Sequence, residues 1–170
     1  MPSPTSRPAD GSAVRARIAT IDWASIAAAL DAHGHAVVDG LLAAADCASL
    51  VGRYDDDPSF RSRVVMARHG FGRGEYKYFA DPLPDPVASL RTGLFPPLAA
   101  IANAWNESLG IERRYPADHQ RYRALCRAAG QAKPTPLLLR YGAGDYNCLH
   151  RDLYGDEVFP LQVAILLSAP

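Results

Sequence analysis

Residues 137–152 read LLLRYGAGDYNCLHRD, and this stretch decides how the rest of the chain is interpreted. Its first four residues predict a buried strand, the glycines that follow predict a turn, and the remaining residues predict a second extended run. Side chains two residues apart lie on the same face of an extended chain. His150 and Asp152 are therefore expected to project together. An imidazole and a carboxylate placed in this way are two of the three ligands of a two-histidine, one-carboxylate site for non-haem iron(II).

Length and composition predict one globular domain in a reducing compartment. The chain has 170 residues, of which 48% are hydrophobic and 21% charged, and its formal net charge is +0. This charge balance gives no signal for a nucleic-acid or membrane partner. Three cysteines without a C-x-x-C pair favour reduced thiols. Because the sequence also contains no apolar leader and no run of transmembrane length, we expect a cytoplasmic protein.

The spacing of apolar residues predicts helices through most of the chain. Residues 1–20 are rich in Pro, Ser and Ala and predict a mobile, disordered tail, so the folded domain is expected to span residues 21–170. Asp22 and Gly34 have the side chains expected at the two ends of a core-packing helix. Helices are predicted, in chain order, over residues 23–33, 44–54, 98–109 and 118–129.

Short extended runs indicate a small sheet beside these helices. Residues 64–66 and 76–79, with a glycine-rich stretch between them, predict a hairpin. Residues 35–39 predict another short strand, and residues 161–167 predict a longer, apolar one. We therefore predict an α+β domain in which the main strands begin at Leu137.

A structural zinc site is an alternative use of the same region. His119 and Cys126 lie seven residues apart on a predicted helix, and Cys148 and His150 lie two residues apart on an extended run. Four nitrogen and sulfur ligands could therefore converge, as structural zinc requires. Burial of the cysteines as small hydrophobic residues is the simpler interpretation.

The sequence around the histidine and the aspartate resembles the 2-oxoglutarate- and iron(II)-dependent dioxygenases. A strand ending in tyrosine, a glycine turn, a second tyrosine, H-x-D and then the apolar run of residues 159–168 is similar to the prolyl-hydroxylase-like branch. Residues 61–79 and 130–136 are similar to a bacterial subfamily of these oxygenases. The resemblance implies N-terminal helices packed on a partial double-stranded β-helix, the jelly-roll or cupin-like architecture.

The resemblance also implies a role for five residues. His150 and Asp152 would bind the metal, and Tyr141 would face the cosubstrate and donate a hydrogen bond to the distal carboxylate of 2-oxoglutarate. Tyr146 and Asn147 would line the mouth of the site, near the substrate or behind the ligands. The implied cofactors are Fe(II) and 2-oxoglutarate, with O2 as a second cosubstrate and ascorbate as an optional reductant. The implied reaction is hydroxylation of a C–H bond in an unidentified substrate.

Two parts that the resemblance requires are missing from the sequence. In these oxygenases a second histidine, and a basic residue that holds the 2-oxoglutarate carboxylate, follow H-x-D after several strands, whereas this sequence ends at Pro170. We therefore expect a C-terminally truncated oxygenase domain that is inactive by itself, because one histidine and one aspartate hold iron weakly. The alternative is a non-catalytic remnant, an interaction module that binds a partner through an unpaired sheet edge.

Overall fold

A computed structural model describes residues 11–55, 57–152 and 155–168. Within them the fold is mixed α/β, with five α-helices and two small antiparallel sheets. The helices are α1 (Gly11–Ala19), α2 (Trp23–His33), α3 (Ala44–Gly52), α4 (Asp85–Ser108) and α5 (His119–Ala128). The strands are β1 (Phe60–Val65), β2 (Gly72–Arg73), β3 (Glu75–Phe79), β4 (Leu137–Arg140) and β5 (Tyr146–Asn147). The predicted combination of helices with strands is confirmed, and the jelly-roll architecture stays a prediction.

The larger sheet has the strand order β1-β3-β4 and is antiparallel throughout. Its register places Glu75 opposite Val65 on one side and opposite Arg140 on the other. The predicted hairpin and the predicted strand at Leu137 are both confirmed. The second sheet pairs β2 with β5, so the glycine-rich stretch inside the hairpin is itself partly a strand.

The capping signals of α2 correctly predict both of its ends. Asp22 Oδ1 accepts hydrogen bonds from the backbone N–H groups of Ala24 and Ser25, both at 3.1 Å, which satisfies donors left free at a helix start. Gly34 closes the helix with a φ of 73°, a left-handed conformation that suits glycine. No side chain of α2 is fully buried, but Trp23 packs against the buried cluster around Val14, so α2 contacts the core through a partly buried side chain.

Helix α1 lies inside the segment that composition predicts to be a disordered tail, so that prediction is wrong for residues 11–19. Val14 and Ile18 are 0% and 6% exposed and pack against Leu90 and Leu94 of α4. The Gly11 N–H donates to Asp85 Oδ2 at 3.1 Å, which fixes the start of α1 on α4. The stabilising contacts are therefore tertiary, and local composition cannot reveal them. Residues 1–10 lie outside the described residues.

Residues 155–168 lie across the helices and do not form the predicted apolar strand. Phe159 and Leu161 pack against the cluster around Phe95, Ile165 against the cluster around Val14, and Leu167 against the cluster around Leu50. The prediction of a strand over 161–167 is wrong, because among the described residues no backbone ladder pairs this segment with another strand. Residues 35–39 likewise contain no strand.

His119 makes the stability of the fold sensitive to acid. This residue is 8% exposed, and its ring lies 5.4 Å from that of Phe95. Burial, followed by the charges of Arg91 and Arg123, lowers the pKa of His119 from 6.5 to about 4. The unfolded chain therefore binds the proton more readily between these two values. We expect the free energy of unfolding to fall by about 1–2 kcal/mol from pH 7 to pH 5 because of this one group.

Urea unfolding of the wild type and of His119→Leu at both pH values measures this contribution. The pH-dependent loss should shrink in His119→Leu and persist in His33→Ala, which removes an exposed histidine. An equal pH dependence in all three proteins would contradict the assignment.

Candidate functional site

The segment that contains His150 follows directly after β5, which pairs with β2. Gly72 lies opposite Asn147, and Arg73 lies opposite Tyr146. The Cys148 N–H donates to the carbonyl of Phe71 at 2.9 Å, which continues the pairing by one more hydrogen bond. Residues 148–152 then follow without regular secondary structure.

The turn before β5 has the geometry that its glycines predict. The Asp145 N–H donates to the Gly142 carbonyl at 3.1 Å, and Asp145 Oδ2 accepts from the Gly142 N–H at 2.8 Å. Gly144 lies at φ 77°, a value that favours glycine. Asp145 thus closes the turn through its backbone N–H and its side-chain carboxylate, so this side chain has a structural role.

The structure brings His150 and Asp152 together. His150 Nε2 lies 3.6 Å from Asp152 Oδ1, and the two side chains are 48% and 51% exposed. The other nitrogen of the ring, Nδ1, lies 2.8 Å from the Cys148 carbonyl, and Asp152 Oδ2 accepts from Gln162 Nε2 at 3.2 Å. In the tautomer that donates Nδ1–H to the carbonyl, the lone pair of Nε2 is free for a ligand.

This pair fits part of a metal site. Two donor atoms that each bind one ion at about 2.1 Å and at nearly right angles lie roughly 3 Å apart, close to the observed separation. Among the described residues, however, no group of three or more His, Cys, Asp or Glu side chains could hold a metal ion. His150 and Asp152 could therefore supply two ligands, and the described part of the chain does not supply the third.

The alternative zinc site is not assembled in the described residues either. His119 packs on Phe95, and Cys126 packs against the same buried cluster, while Cys148 is exposed. His119 and Cys126 therefore lie at the buried cluster around Phe95, whereas Cys148 and His150 are exposed. The pKa of the Cys126 thiol is raised by burial, which disfavours the thiolate that zinc needs.

Tyr141 lies beside an open cleft of about 480 Å³ that is lined by residues 74, 75, 140–142 and 145. The ring of Tyr141 packs so closely on Gly74 that a Cβ built there would meet Tyr141 Cδ1 at 2.7 Å. Burial, followed by the charge of Asp145, raises the pKa of Tyr141, so the phenol keeps its proton at neutral pH and can donate a hydrogen bond. His150 and Asp152 do not line this cleft.

Glu75 is the charged residue of the cleft that the sequence patterns do not reveal. Arg63 Nε donates to Glu75 Oε2 at 2.8 Å, and Arg140 donates to Oε1. Burial alone would raise the pKa of Glu75, but Arg63, Tyr54 and Arg140 together lower it. Arg140 also pairs with Asp55 at 3.2 Å, so it is not a free cation for a carboxylate ligand. Only the strand register could have revealed this arrangement.

Tyr146 and Asn147 form β5, and both are exposed. Tyr146 is 54% exposed and lies opposite Arg73 in the ladder. The placement of both residues at the mouth of a substrate site stays a prediction. In the described part of the chain, no helix is long and apolar enough to cross a membrane.

Comparison with known proteins gives a family match over the second half of the chain. Residues 74–170 match the family model Oxygenase-NA, described as an oxygenase catalysing oxidative methylation of damaged DNA. Two curated relatives are the uncharacterized proteins MT2286 and Rv2227 of Mycobacterium tuberculosis, from strains CDC 1551 / Oshkosh and ATCC 25618 / H37Rv. Each is 47% identical over 92 residues, which are 54% of this chain and 40% of the relative. No solved structure matches.

The family match corrects one prediction from the sequence and bears on a second. The prolyl-hydroxylase-like assignment is wrong, because the model that matches belongs to a different family. The absence of a nucleic-acid signal is at variance with a family description that names damaged DNA. A net charge of +0 is a sum over the whole chain and does not report how charge is distributed along it.

Proposed function

Because the chain belongs to the Oxygenase-NA family of oxygenases, we propose that it supplies His150 and Asp152 to an Fe(II)- and 2-oxoglutarate-dependent oxygenase that acts on damaged DNA. The chain spans 40% of the length of the curated relatives it matches, so this activity is proposed for the whole protein. The jelly-roll architecture is part of the same proposal.

The arrangement of His150 and Asp152 is the observation that carries the proposal. Their free donor atoms lie 3.6 Å apart, and in each side chain the remaining polar atom is held by another group. Such secondary hydrogen bonds orient metal ligands and commonly change metal affinity 10- to 100-fold. One imidazole and one carboxylate with open positions suit iron(II) better than a closed structural zinc site.

Iron(II) with 2-oxoglutarate would activate O2, so that one oxygen atom enters a substrate C–H bond while 2-oxoglutarate is converted to succinate and CO2. The neutral phenol of Tyr141 would donate a hydrogen bond to a 2-oxoglutarate carboxylate. The Arg140 guanidinium is already neutralised by Glu75 and Asp55, so it does not serve as the basic clamp. Tyr146 and Asn147 would border the substrate.

Metal binding by the purified chain tests the role of the two ligands. We expect weak binding of Fe(II), or of Mn(II) as a redox-stable substitute, because two protein donors are available. His150→Ala and Asp152→Ala should each weaken it by about 10-fold or more. Anaerobic calorimetric titration measures this affinity. Residues 1–170 alone are expected to form no measurable succinate from 2-oxoglutarate.

The matched control is His33→Ala, which removes an exposed histidine from the end of α2. It should bind the metal as the wild type does. Equal affinity in the wild type, His150→Ala and Asp152→Ala would refute the proposed ligands. Succinate formation that His150→Ala abolishes would refute the expected inactivity of residues 1–170.

One observation supports the alternative, in which the chain is an interaction module. Strand β4 pairs with β3 on one side, and no strand among the described residues pairs with its other side. Leu139 on β4 is 49% exposed. An extended segment could add to this edge, either from elsewhere in the protein or from a partner.

A further inference from the structure

Two large aromatic side chains are exposed where β2 meets β5. Phe71, directly before β2, is 44% exposed, and Tyr146 on β5 is 54% exposed. Arg73 lies opposite Tyr146 in the ladder, and its side chain is 65% exposed. Aromatic rings of this size usually contribute to a core, so two of them beside an exposed arginine indicate a binding surface.

Positive charge is concentrated in the same part of the chain. Residues 60–79 and 137–152 contain seven Lys and Arg but three Asp and Glu, whereas the whole chain has a formal net charge of +0. Glu75 pairs with Arg63 and Arg140, and without these three residues the remaining Lys and Arg still outnumber the remaining Asp and Glu. Asp145 lies 4.0 Å from Arg73, at the limit of an ion pair. The local excess is therefore positive.

Arg68 and His69 extend this surface on the side of the turn that precedes β2. Both are exposed, and Arg68 makes no ion pair with any residue that the structure describes. His69 stacks on Phe71 with 5.3 Å between ring centroids and 24° between ring planes. This stacking restrains the Phe71 ring, so less side-chain entropy is lost when a second ring stacks on it.

We propose that this basic–aromatic surface, defined as Arg68, His69, Phe71, Arg73 and Tyr146, binds a DNA strand whose bases are unpaired. The arginines would contact phosphates, and the rings of Phe71 and Tyr146 would stack on bases. The faces of the bases are stacked on one another in a duplex, so duplex DNA could interact only with the charged side chains of this surface. The proposal deepens the proposed function and rests on it for the choice of DNA as the ligand.

The position of the surface agrees with a role in presenting a nucleotide to the metal ligands. Tyr146 precedes His150 by four residues, so at most roughly 13 Å of extended chain separates them. The hydrogen bond from Cys148 N–H to the Phe71 carbonyl joins the two halves of the surface immediately before His150. A strand held on Phe71 and Tyr146 would therefore pass close to His150. Enzymes that modify a base need it outside the stack, as this geometry allows.

Fluorescence anisotropy with a labelled 12-nucleotide oligothymidylate, and with its duplex, tests the proposal. The measurement uses the 170-residue chain without metal or 2-oxoglutarate. We expect tighter binding of the single strand than of the duplex. Phe71→Ala and Tyr146→Ala should each weaken single-strand binding about 5-fold or more. Arg73→Ala should weaken it and reduce the slope of log K against log salt by about 0.7.

Arg121→Ala is the matched control, because it also removes one exposed arginine but from α5. It should bind as the wild type does. Absence of binding by the wild type would overturn the proposal. So would duplex and single strand binding equally with no effect of either aromatic substitution, because the surface would then act through charge alone.

The two proposals fail in distinguishable ways. If His150→Ala leaves metal affinity unchanged but Phe71→Ala weakens DNA binding, the metal ligands are wrong and the surface stands. If metal affinity depends on His150 but no variant changes DNA binding, the surface is wrong and the metal ligands stand.

Discussion

Phe79→Ala is expected to lower the free energy of unfolding by about 3–5 kcal/mol, the usual cost of removing a buried aromatic ring. Phe79 at the end of β3 is 1% exposed. Its ring stacks on Phe60 with 4.9 Å between centroids, and it belongs to the cluster that joins the sheet to α3. The loss would be a large share of the stability of a domain of this size.

Leu139→Ala on the neighbouring strand β4 is the control for Phe79→Ala. Leu139 is 49% exposed, so its removal should cost about 1 kcal/mol or less. Urea unfolding followed by circular dichroism measures both. If Phe79→Ala does not fold, Phe79→Leu should still show an intermediate loss. Equal losses for Phe79→Leu and Leu139→Ala would contradict the assignment of Phe79 to the core.

The elements that the sequence predicts correctly are those specified by local chemistry. Asp22 and Gly34 determine the ends of α2 through hydrogen bonds and backbone conformation within a few residues. Helix α5 begins after Asp118, whose side chain accepts from the Arg121 N–H at 2.8 Å. His150 and Asp152 meet because they are two residues apart. Each of these features needs no knowledge of the rest of the fold.

The features that the sequence does not predict depend on distant partners. Helix α1 is stabilised by α4, more than 70 residues later, and its own composition resembles a tail. The apolar residues 161–167 have the pattern of a strand, but their side chains are divided among buried clusters. The Glu75 pairs depend on the register of three strands. Such contacts follow from topology, which local propensity does not encode.

The site was predicted in part for the same reason. The His150–Asp152 pair, which we propose as metal ligands, and the Gly142–Asp145 turn are both local features that the sequence predicts. The sequence does not supply the Phe71–Tyr146 surface, because that surface exists only when β2 and β5 pair across more than 70 residues. A total charge of +0 also hides the local positive excess. The contribution of β2 to the site can be tested by separating it from β5.

Gly72→Ala is expected to disrupt the pairing of β2 with β5 and, with it, both proposed activities. Gly72 lies at φ 121°, a conformation that residues with a side chain rarely adopt. A Cβ there would lie 2.2 Å from the Tyr146 carbonyl oxygen and 3.1 Å from Asn147 Cα. The neighbour is backbone and cannot move aside without breaking the ladder. Strain of this kind costs about 1–3 kcal/mol before the steric overlap is added.

Because His150 follows directly from this ladder, Gly72→Ala should weaken metal binding about as much as His150→Ala does and should also weaken single-strand DNA binding. The amide of Cys148, which donates to the Phe71 carbonyl, should exchange its hydrogen at least about 10-fold faster. Gly70→Ala is the matched control, since Gly70 has a φ of 70° but nothing within 4 Å of an added Cβ. It should cost about 1–2 kcal/mol of strain and leave both affinities intact. Wild-type metal affinity and Cys148 exchange in Gly72→Ala would show that the ladder does not position His150.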